Sequence, residues 1–243
     1  MTGIGIYGSL GRMGRAVAAA IPTTGSARYA GGADLRDDPR QLAESADVLV
    51  DFSSPHAIEP HLAAAVAART PILVGTTGLS AAHHAAIDAA AAEIAVLQTG
   101  NTSLGIALLC RLVREAAERL DPRWDIEVFE AHHRNKIDAP SGTALMLGTA
   151  AAQGRGTSLG EVGVMDRAGL TGARAEGTIG FASVRGGTIA GDHRVLFAGD
   201  GERIELAHIA EDRAIFADGA VRAALWLANQ PPGRYTMDSV LAL

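Results

Sequence analysis

Lys136 is the only lysine among the 21 lysine and arginine residues of the chain, and it closely follows the adjacent histidines His132 and His133. A lysine ammonium can be tuned to release its proton, whereas an arginine guanidinium stays charged. Histidine titrates near neutral pH and can pass a proton to a substrate. Together these side chains indicate acid/base chemistry or the binding of an anion. The alternative is a lysine that merely lies on the surface.

A predicted helix start follows this cluster. Ser141, Gly142 and Thr143 precede an apolar segment that predicts a helix over residues 144–153. Unpaired N–H groups at a helix start favour a carboxylate or a phosphate. The histidine pair, the lysine and this helix start therefore predict a site for a small anion that undergoes proton transfer. The alternative is a polar loop in front of a capped helix.

A second motif lies near the beginning of the chain, where residues 3–7 predict a buried strand and residues 15–21 predict a helix. Gly8, Gly11 and Gly14 stand between them, with a leucine where the usual GxGxxG fingerprint has its second glycine. Glycines let the backbone turn sharply and approach a pyrophosphate, which then meets the free N–H groups of the helix start. This order predicts a dinucleotide site, and a plain glycine turn is the alternative.

Asp34 lies about twenty residues beyond these glycines, where an acidic residue accepts hydrogen bonds from an adenosine ribose. Arg36 follows closely and could hold a 2′-phosphate instead. Because Asp34 favours a free 2′-hydroxyl, the sequence slightly favours NADH, and we expect both NADH and NADPH to be used.

Further strands predict a parallel sheet around the glycine turn. Residues 47–52 and 70–75 are buried apolar runs separated by a predicted helix, as in βαβ units. Ligands of open α/β sheets bind at the carboxyl ends of such strands, where this chain places Gly75, Thr76 and Thr77. Residues 99–103 form another polar strand end, although their side chains equally suit a helix cap.

From residue 124 onward the pattern changes, because short strands with glycine turns between them suit antiparallel meanders more than βαβ units. We therefore expect an α/β protein with a Rossmann-type dinucleotide-binding domain over residues 1–103, to which residues 213–243 return. The second α/β domain, over residues 104–212, should contain a mixed, largely antiparallel sheet and a long loop, which serves as a lid or interface arm. The strands are predicted over residues 125–130, 178–185, 191–197 and 202–209, the loop over 154–177, and a last helix over 217–229.

The bulk composition argues against several classes of protein. The net charge of −6 argues against a nucleic-acid surface, and the single cysteine, Cys110, lies in an apolar run and should pack in the core. Cysteines and histidines do not occur at metal-ligand spacing, so no metal is expected. No apolar stretch approaches the ~20 residues of a membrane span, and the first residues lack a signal-peptide pattern. We therefore expect no membrane contact and a cytoplasmic location.

Five short motifs occur in a fixed order along the chain, and together they are far more specific than any one of them. The block around the histidine pair is highly specific, whereas the glycine loop is not. The motifs are Gly-Ser-Leu-Gly-Arg-Met-Gly at 8–14, Asp-Phe-Ser at 51–53, Gly-Thr-Thr-Gly at 75–78, Glu-Ala-His-His at 130–133 with Lys136, and Asp-Ala-Pro-Ser-Gly-Thr-Ala at 138–144.

In these motifs the chain resembles the dihydrodipicolinate reductase family of the diaminopimelate route to lysine, and the resemblance runs from the first strand to residues 224–226. It implies reduction of 4-hydroxy-tetrahydrodipicolinate, by way of dihydrodipicolinate, to tetrahydrodipicolinate with hydride from NADH or NADPH. It also implies a Rossmann domain joined to an α/β tetramerisation domain. A homotetramer is therefore expected.

The resemblance also implies roles for individual residues. His132 matches the family's general acid/base and Lys136 its proton donor, although His132 could donate the proton while Lys136 holds a carboxylate. His133, Gly142 and Thr143 match its substrate-binding positions. The cofactor-binding positions are matched by Gly8, Ser9, Leu10, Gly11, Arg12, Met13, Asp34, Gly75, Thr76, Thr77, Thr99, Gly100, Asn101 and Thr102.

Two departures from the family pattern affect the expected cofactor pocket. Thr-Gly-Asn-Thr at 99–102 replaces the usual Ala-Ala-Asn-Phe, and Leu35 stands where many members have arginine. The first change alters the nicotinamide pocket, and the second leaves the NADPH preference open. Two other functions compete: another two-domain Rossmann dehydrogenase acting on a small carboxylate, and a non-catalytic NAD(P) sensor. Neither function needs a lysine and two histidines beside an anion-binding helix start.

Overall fold

The computed structural model describes residues 1–242, which form two compact units. The first unit contains Met1–Leu104 and the chain from Ala214 onward, and the second contains Gly105–Arg213. Each unit has its own sheet and its own hydrophobic core. Strands and helices are numbered below in chain order.

The first unit contains a six-stranded sheet in which all neighbouring strands are parallel. Its central strands are continuous apolar runs that are buried on both faces, as is typical of parallel sheets. Full burial of each isoleucine or leucine stabilises the fold by roughly 1.5–3 kcal/mol. The strands are β1 (Thr2–Tyr7), β2 (Ala27–Ala33), β3 (Val48–Asp51), β4 (Ile72–Val74), β5 (Ala95–Gln98) and β11 (Gly233–Tyr235), in the order β11-β5-β4-β3-β1-β2.

The helices of the first unit begin where the sequence supplies a cap or a glycine turn. The Ser80 hydroxyl accepts a hydrogen bond from the His83 N–H, and the Asp38 carboxylate accepts one from the Arg40 N–H. The helices are α1 (Arg12–Ala20), α2 (Pro39–Ser45), α3 (Ile58–Ala68), α4 (Ala81–Ala91), α8 (Ala214–Leu227) and α9 (Met237–Val240).

Helix α8 packs against α1 and against strands β3 and β4 of the first unit. A Cβ atom on Gly219 would lie 1.9 Å from the Thr102 carbonyl oxygen, so only glycine allows the helix to approach this strand end. The Thr102 hydroxyl donates a hydrogen bond to the Phe216 carbonyl over 2.6 Å. These contacts attach the last part of the chain to the segment that follows β5.

Several elements of the first unit, strand β2 among them, were not predicted from the sequence. Only the end residues of β2, Ala27 and Ala33, are buried, so it is not a continuous apolar run. Helix α2 buries only Leu42 and Ala43, so it has little apolar periodicity to detect. Strand β11 is three residues long and is defined by its parallel pairing with β5, which is distant in the chain. Helix α9 has four residues, too few for a periodic pattern.

The second unit contains a five-stranded mixed sheet, and the predicted α/β class with a parallel Rossmann-type sheet and a second mixed sheet is confirmed. Two of its neighbouring pairs are antiparallel and two are parallel, so the parallel share is larger than the spacing predicted. The strands are β6 (Asp125–His132), β7 (Gly163–Val164), β8 (Ile179–Arg185), β9 (Asp192–Gly199) and β10 (Glu202–Ile209), in the order β10-β9-β6-β8-β7.

Helices α5 (Leu104–Arg119) and α6 (Gly142–Gly154) contribute their apolar sides to the core of the second unit. The core also contains Val128, Val195 and Phe197 from the sheet. The long loop predicted over residues 154–177 is wrong in part, because it contains helix α7 (Leu159–Val162) and strand β7. Ser158 and Glu161 form a capping box that starts this short helix.

Candidate active site

His132 is the last residue of β6, and the residue is only 9% exposed. The strand's period of two places Glu130 on the same face, and the Glu130 Oε2 atom lies 2.5 Å from His132 Nδ1. Because the carboxylate accepts, Nδ1 carries the proton and Nε2 is left for other partners. Burial lowers the pKa of His132 below its ordinary value, and the hydrogen bond that His132 donates to Glu130 opposes this only in part. The imidazole is therefore neutral near pH 7.

Glu130 is fully buried, and Arg185 at the end of β8 balances its charge. Arg185 Nη1 donates to Glu130 Oε2 over 2.9 Å, and Nη2 donates to Oε1 over 2.7 Å. Burial alone would raise the pKa of Glu130, but hydrogen bonds from Arg185, Ser183 and His132 outweigh it and lower the value to about 2. Glu130 is therefore an anion that fixes the tautomer of His132 across the physiological range.

Gly191 lies opposite the free nitrogen of His132. A Cβ atom at this position would lie 3.1 Å from His132 Nε2, a tighter approach than nearly all real Cβ contacts show. Glycine therefore leaves room at Nε2 for a ligand atom, and a larger residue would occupy that room.

His193 of β9 lies edge-on to His132, with ring centroids 5.0 Å apart. Its Nε2 atom is 3.2 Å from the Ser141 hydroxyl, while its Nδ1 atom has no hydrogen-bond partner among the described residues. Burial, with a smaller contribution from His132, lowers the pKa of His193 to about 4. His193 is therefore a neutral ring with one buried nitrogen that has no hydrogen-bond partner among the described residues.

Ser141 joins this cluster to the start of α6. Its hydroxyl accepts the Ala144 N–H over 3.2 Å, so Ser141 is the N-cap and the helix begins at Gly142, two positions earlier than predicted. Gly142 is exposed, and a Cβ atom there would meet nothing within 4 Å. Binding of an anion at this helix start stays a prediction.

Lys136 lies in the turn after β6. Its ammonium is 2.8 Å from Asp138 Oδ1, and its side chain is 20% exposed. The hydrogen bond from Lys136 lowers the pKa of Asp138. The Lys136 N–H donates to the His133 carbonyl over 3.1 Å, which closes the turn, and His133 itself is half-buried.

The structure thus brings His132 together with side chains that the sequence did not predict as site residues. The unpredicted members are Glu130, Arg185, Gly191 and His193, whereas Ser141 belongs to the predicted helix start. Arg185 and His193 come from strands that are distant in the chain, and neither lies in a spacing pattern that would have identified it. Glu130 begins the Glu-Ala-His-His motif, and this position was the sequence signal that could have identified it as a site residue.

In the first unit, the glycine turn after β1 is the predicted site of the cofactor pyrophosphate. Gly8 has a φ of +75°, and a Cβ atom on Gly14 would lie 2.2 Å from the Gly8 carbonyl oxygen. The Gly11 N–H donates to that same carbonyl over 3.1 Å. The side chains of Leu10 and Arg12 are exposed beside the turn, and α1 begins at Arg12. The backbone of this turn is therefore open to a large anion at a helix start.

Asp34 follows β2 and is attached to the glycine turn. Its carboxylate accepts from the Ser9 hydroxyl over 2.6 Å and from the Leu10 N–H over 3.2 Å. Leu35, next to it, is almost fully exposed at 99%. Asp34 is held in one orientation and has acceptor capacity left for a ribose hydroxyl.

The ends of β3 and β4 are organised by Asp51, a fully buried residue. Its carboxylate accepts from the Ser53 hydroxyl over 2.6 Å and from the Thr76 hydroxyl over 3.1 Å. His61 of α3 lies 2.7 Å from the other carboxylate oxygen and stacks on Tyr7. The Thr76 hydroxyl is therefore used in a hydrogen bond within the protein, whereas Thr77 is exposed at the same edge of the sheet.

The segment after β5 is held in a turn by hydrogen bonds between its own side chains and backbone. The Thr99 hydroxyl donates to the Asn101 carbonyl over 2.7 Å, and the Asn101 side chain accepts the Ser103 N–H over 2.8 Å. With the Thr102 hydroxyl directed to α8, these polar side chains shape the strand end, and Gly100 is exposed. Cofactor contacts predicted for this segment would accordingly fall largely to its backbone.

No helix within residues 1–242 is long and apolar enough to cross a membrane. The same residues contain no group of three or more histidine, cysteine, aspartate or glutamate side chains that could hold a metal ion.

Known proteins match the chain over its whole length. A family model described as the N-terminus of dihydrodipicolinate reductase matches residues 2–102, and one described as its C-terminus matches residues 105–241. The 4-hydroxy-tetrahydrodipicolinate reductase of Zymomonas mobilis is 49% identical over 246 residues, covering 99% of this chain and 97% of the relative. The reductase of Cereibacter sphaeroides is 45% identical over 266 residues, covering 100% and 99%.

Solved structures show the same fold at low sequence identity. A dipicolinate-bound dihydrodipicolinate reductase from Paenisporosarcina sp. superposes with a TM-score of 0.78 at 21% identity, covering 97% of each chain. A probable dehydrogenase from Thermotoga maritima gives a TM-score of 0.63 at 14% identity, covering 98% of this chain and 92% of its own. With the two family models and the reductases that match end to end, the chain belongs to the dihydrodipicolinate reductase family.

Proposed function

We propose that this protein reduces 4-hydroxy-tetrahydrodipicolinate to tetrahydrodipicolinate in the diaminopimelate pathway of lysine biosynthesis. One structural observation supports this most strongly: a neutral, buried His132 has one nitrogen fixed by Glu130 and the other left open opposite Gly191. The lone lysine of the chain lies in the turn that follows. A dehydrogenase of another kind, or a sensor without chemistry, would not need this acid/base arrangement.

The first unit is the proposed cofactor domain. Its glycine turn and helix start would hold the pyrophosphate, and the oriented Asp34 carboxylate would accept from the adenosine ribose. When bound, NADH or NADPH supplies the hydride for the reduction. The remaining cofactor contacts are proposed for Ser9 to Met13, for residues 75–77, and for residues 99–102.

The second unit is the proposed substrate domain. The substrate carries two carboxylates, and the N–H groups at Gly142 and Thr143 at the start of α6 suit one of them. Lys136 and His133 flank this region in the chain and are proposed to bind substrate as well. The unpaired Nδ1 of His193 adds a neutral polar atom beside His132.

The overall reaction consumes one hydride and one proton and releases one water from the substrate. As hydride adds to the conjugated imine, negative charge develops on the ring and must be neutralised by a positioned acid. Because burial lowers the pKa of His132, its imidazole is neutral near pH 7 and Nε2 carries no proton to donate. We therefore assign donation to the Lys136 ammonium and acid/base exchange at Nε2 to His132. Lys136 is partly exposed, so solvent can restore its proton.

A homotetramer in the cytoplasm is proposed from family membership. The outer face of the mixed sheet supports an assembly, because its strands expose Phe129, Val184 and Ile209. These residues are 38%, 42% and 64% exposed, and exposed apolar side chains close together mark surfaces that another chain covers.

The test is oxidation of the reduced nicotinamide in the presence of enzymatically generated 4-hydroxy-tetrahydrodipicolinate, with NADH and NADPH assayed separately. We expect substrate-dependent oxidation with both cofactors and a modest preference for NADH, because Asp34 favours a free 2′-hydroxyl. Absence of substrate-dependent oxidation with either cofactor would contradict the proposed function.

A further inference from the structure

Arg185 ends β8 directly beside His132, with which it pairs in the parallel register. Its side chain is 20% exposed and donates hydrogen bonds in two directions. We propose that Arg185 is a positioning residue that holds His132 and the Lys136 turn in a single arrangement. The proposal rests on the proposed function for its kinetic consequences, and the contacts below support it on geometry.

The first group of contacts runs through Glu130. Both guanidinium nitrogens Nη1 and Nη2 bind the Glu130 carboxylate, one to each oxygen, over 2.9 and 2.7 Å. The oxygen bound by Nη1 is also the one that accepts from His132 Nδ1. A bidentate pair fixes the plane of the carboxylate, and the carboxylate in turn fixes the imidazole. The orientation of His132 Nε2 therefore depends on Arg185.

The second contact runs to the turn that contains Lys136. Arg185 Nη2 donates to the Asp138 carbonyl over 2.7 Å, and the Asp138 carboxylate pairs with the Lys136 ammonium over 2.8 Å. Because one nitrogen of Arg185 binds both Glu130 and the Asp138 backbone, the two proposed proton-handling residues cannot shift independently. The Gly186 N–H, next in the chain, adds a 2.9 Å hydrogen bond to the His132 carbonyl.

Lysine could not replace Arg185 in this role. The guanidinium makes four hydrogen bonds from two nitrogens, since Nη1 also donates to the Val184 carbonyl over 2.7 Å. A lysine keeps the positive charge but has a single nitrogen that cannot reach both carboxylate oxygens and the Asp138 carbonyl in one plane. R185K therefore separates the geometry of the arginine from its charge.

The chain offers a matched control in Arg174. Its side chain is 18% exposed and likewise binds two carboxylates, those of Asp125 and Glu127, together with the backbone carbonyls of Ile126 and Thr178. Its hydrogen bonds to described residues go to these groups and to the Ala175 carbonyl, and none goes to His132, Glu130 or Lys136. R174K thus removes a comparable arginine network of the same unit without touching the proposed site.

The experiment measures kcat, both KM values and the thermal midpoint for wild type, R185K, R174K and E130Q. In parallel, ¹⁵N NMR reads the tautomer of His132, with its signal assigned by its loss in H132N. We expect R185K to lower kcat about 10- to 100-fold while the KM for NADH changes less than about twofold. The Nδ1-protonated signal of His132 should lose population in R185K and E130Q. R174K should keep the wild-type kcat and His132 signal.

The tautomer readout keeps the proposal separate from simple stability and from the proposed function. Equal losses of thermal midpoint in R185K and R174K, with kcat and the His132 signal unchanged in both, would show that Arg185 only stabilises the fold. A lower kcat in R185K with an unaltered His132 signal also contradicts the proposal. If R185K does not fold, the His132 signal of E130Q decides. A wild-type protein without reductase activity would overturn the proposed function, while the NMR signals still decide the role of Arg185.

Discussion

The two candidate regions are built in opposite ways. Around the glycine turn of the first unit, backbone groups are proposed to bind the cofactor, and Gly8 and Gly14 matter because they lack side chains. Around His132 in the second unit, side chains are proposed to transfer protons, and Glu130, Arg185 and His193 surround them with hydrogen bonds and ring contacts. The first region depends on local conformation, whereas the second depends on strand register.

This difference predicts how each region fails. Adding a methyl group should damage the glycine turn, because there is no space for it. Removing or reorienting a functional group should damage the His132 cluster, because its side chains are held by hydrogen bonds to one another. The first kind of change affects cofactor binding and the second affects turnover.

The largest expected effect is that of Lys136→Ala on turnover. Loss of the ammonium removes the proposed proton donor and its ion pair with Asp138. We expect a loss of about 2–4 kcal/mol of transition-state stabilisation, or roughly 30- to 1000-fold in kcat/KM. Steady-state kinetics and NADH binding by fluorescence provide the measurement, and NADH binding should survive.

Arg134→Ala is the matched control for this change. Arg134 is exposed in the same turn, so its removal takes away an equal charge without touching the proposed chemistry. Kinetics of Lys136→Ala that equal those of wild type would remove the lysine from the mechanism. Equal losses in both variants would attribute the effect to net charge alone.

Gly14→Ala should act on the other region. The new Cβ atom would lie 2.2 Å from the Gly8 carbonyl oxygen, so the turn must open or α1 must shift. We expect a destabilisation of about 1–3 kcal/mol and a Kd for NADH raised by at least about tenfold. Urea unfolding and equilibrium NADH binding measure the two effects. Gly160→Ala, where a Cβ atom would meet nothing within 4 Å, should be close to neutral.

The same contrast explains how much of the molecule could be predicted from the sequence. The glycine spacing and the order of strand and helix predicted the turn, because both features lie in one short continuous segment of the sequence. Strands β1, β3 and β4 were predicted because parallel strands buried on both faces are continuous apolar runs, whereas most of β2 is not buried. Short elements such as β11 and α2 could not be predicted, because pairing or a cap defines them rather than periodicity.

The His132 cluster was predicted only in its local part. His132, Lys136 and the start of α6 lie within a few residues of one another in the sequence. Arg185 and His193 reach the cluster because β8 and β9 pair with β6 on either side, in a register that spacing alone does not specify. The mixture of parallel and antiparallel pairs in this sheet was underestimated for the same reason.

Asp34→Ala sharpens the account of the first region with a smaller effect. Its carboxylate already holds Ser9 and the Leu10 N–H, so its loss removes both a ribose acceptor and a support of the turn. We expect the Kd for NADH to rise several-fold, by about 1 kcal/mol, and that for NADPH to rise less. Isothermal titration with both cofactors measures the difference. Equal losses would leave Asp34 with a structural role only.

The smallest effect is expected in the pH dependence of stability. The pKa of folded His193 is about 4, below its ordinary value of 6.5, so the unfolded chain binds this proton more readily between these values. Stability should therefore fall as the pH drops from about 6.5 toward about 4, and His193→Gln should weaken that fall. Burial also lowers the pKa values of His132 and His208, so some dependence should remain.

Urea midpoints at several pH values above 4.5 measure this slope. Glu130 affects the pH dependence of stability only below that range, because the stability it contributes is lost as the pH falls from 4.5 to about 2. An identical slope in wild type and His193→Gln would show that His193 does not contribute to the acid sensitivity.

The central claim is that this chain transfers hydride from a reduced nicotinamide to the cyclic substrate. The most direct measurement uses NADH that carries deuterium at the transferable position of the nicotinamide ring, with mass spectrometry of the product. The account predicts one deuterium in each tetrahydrodipicolinate formed and one cofactor oxidised per product. Tetrahydrodipicolinate without the label, or NADH oxidation without this product, would contradict it.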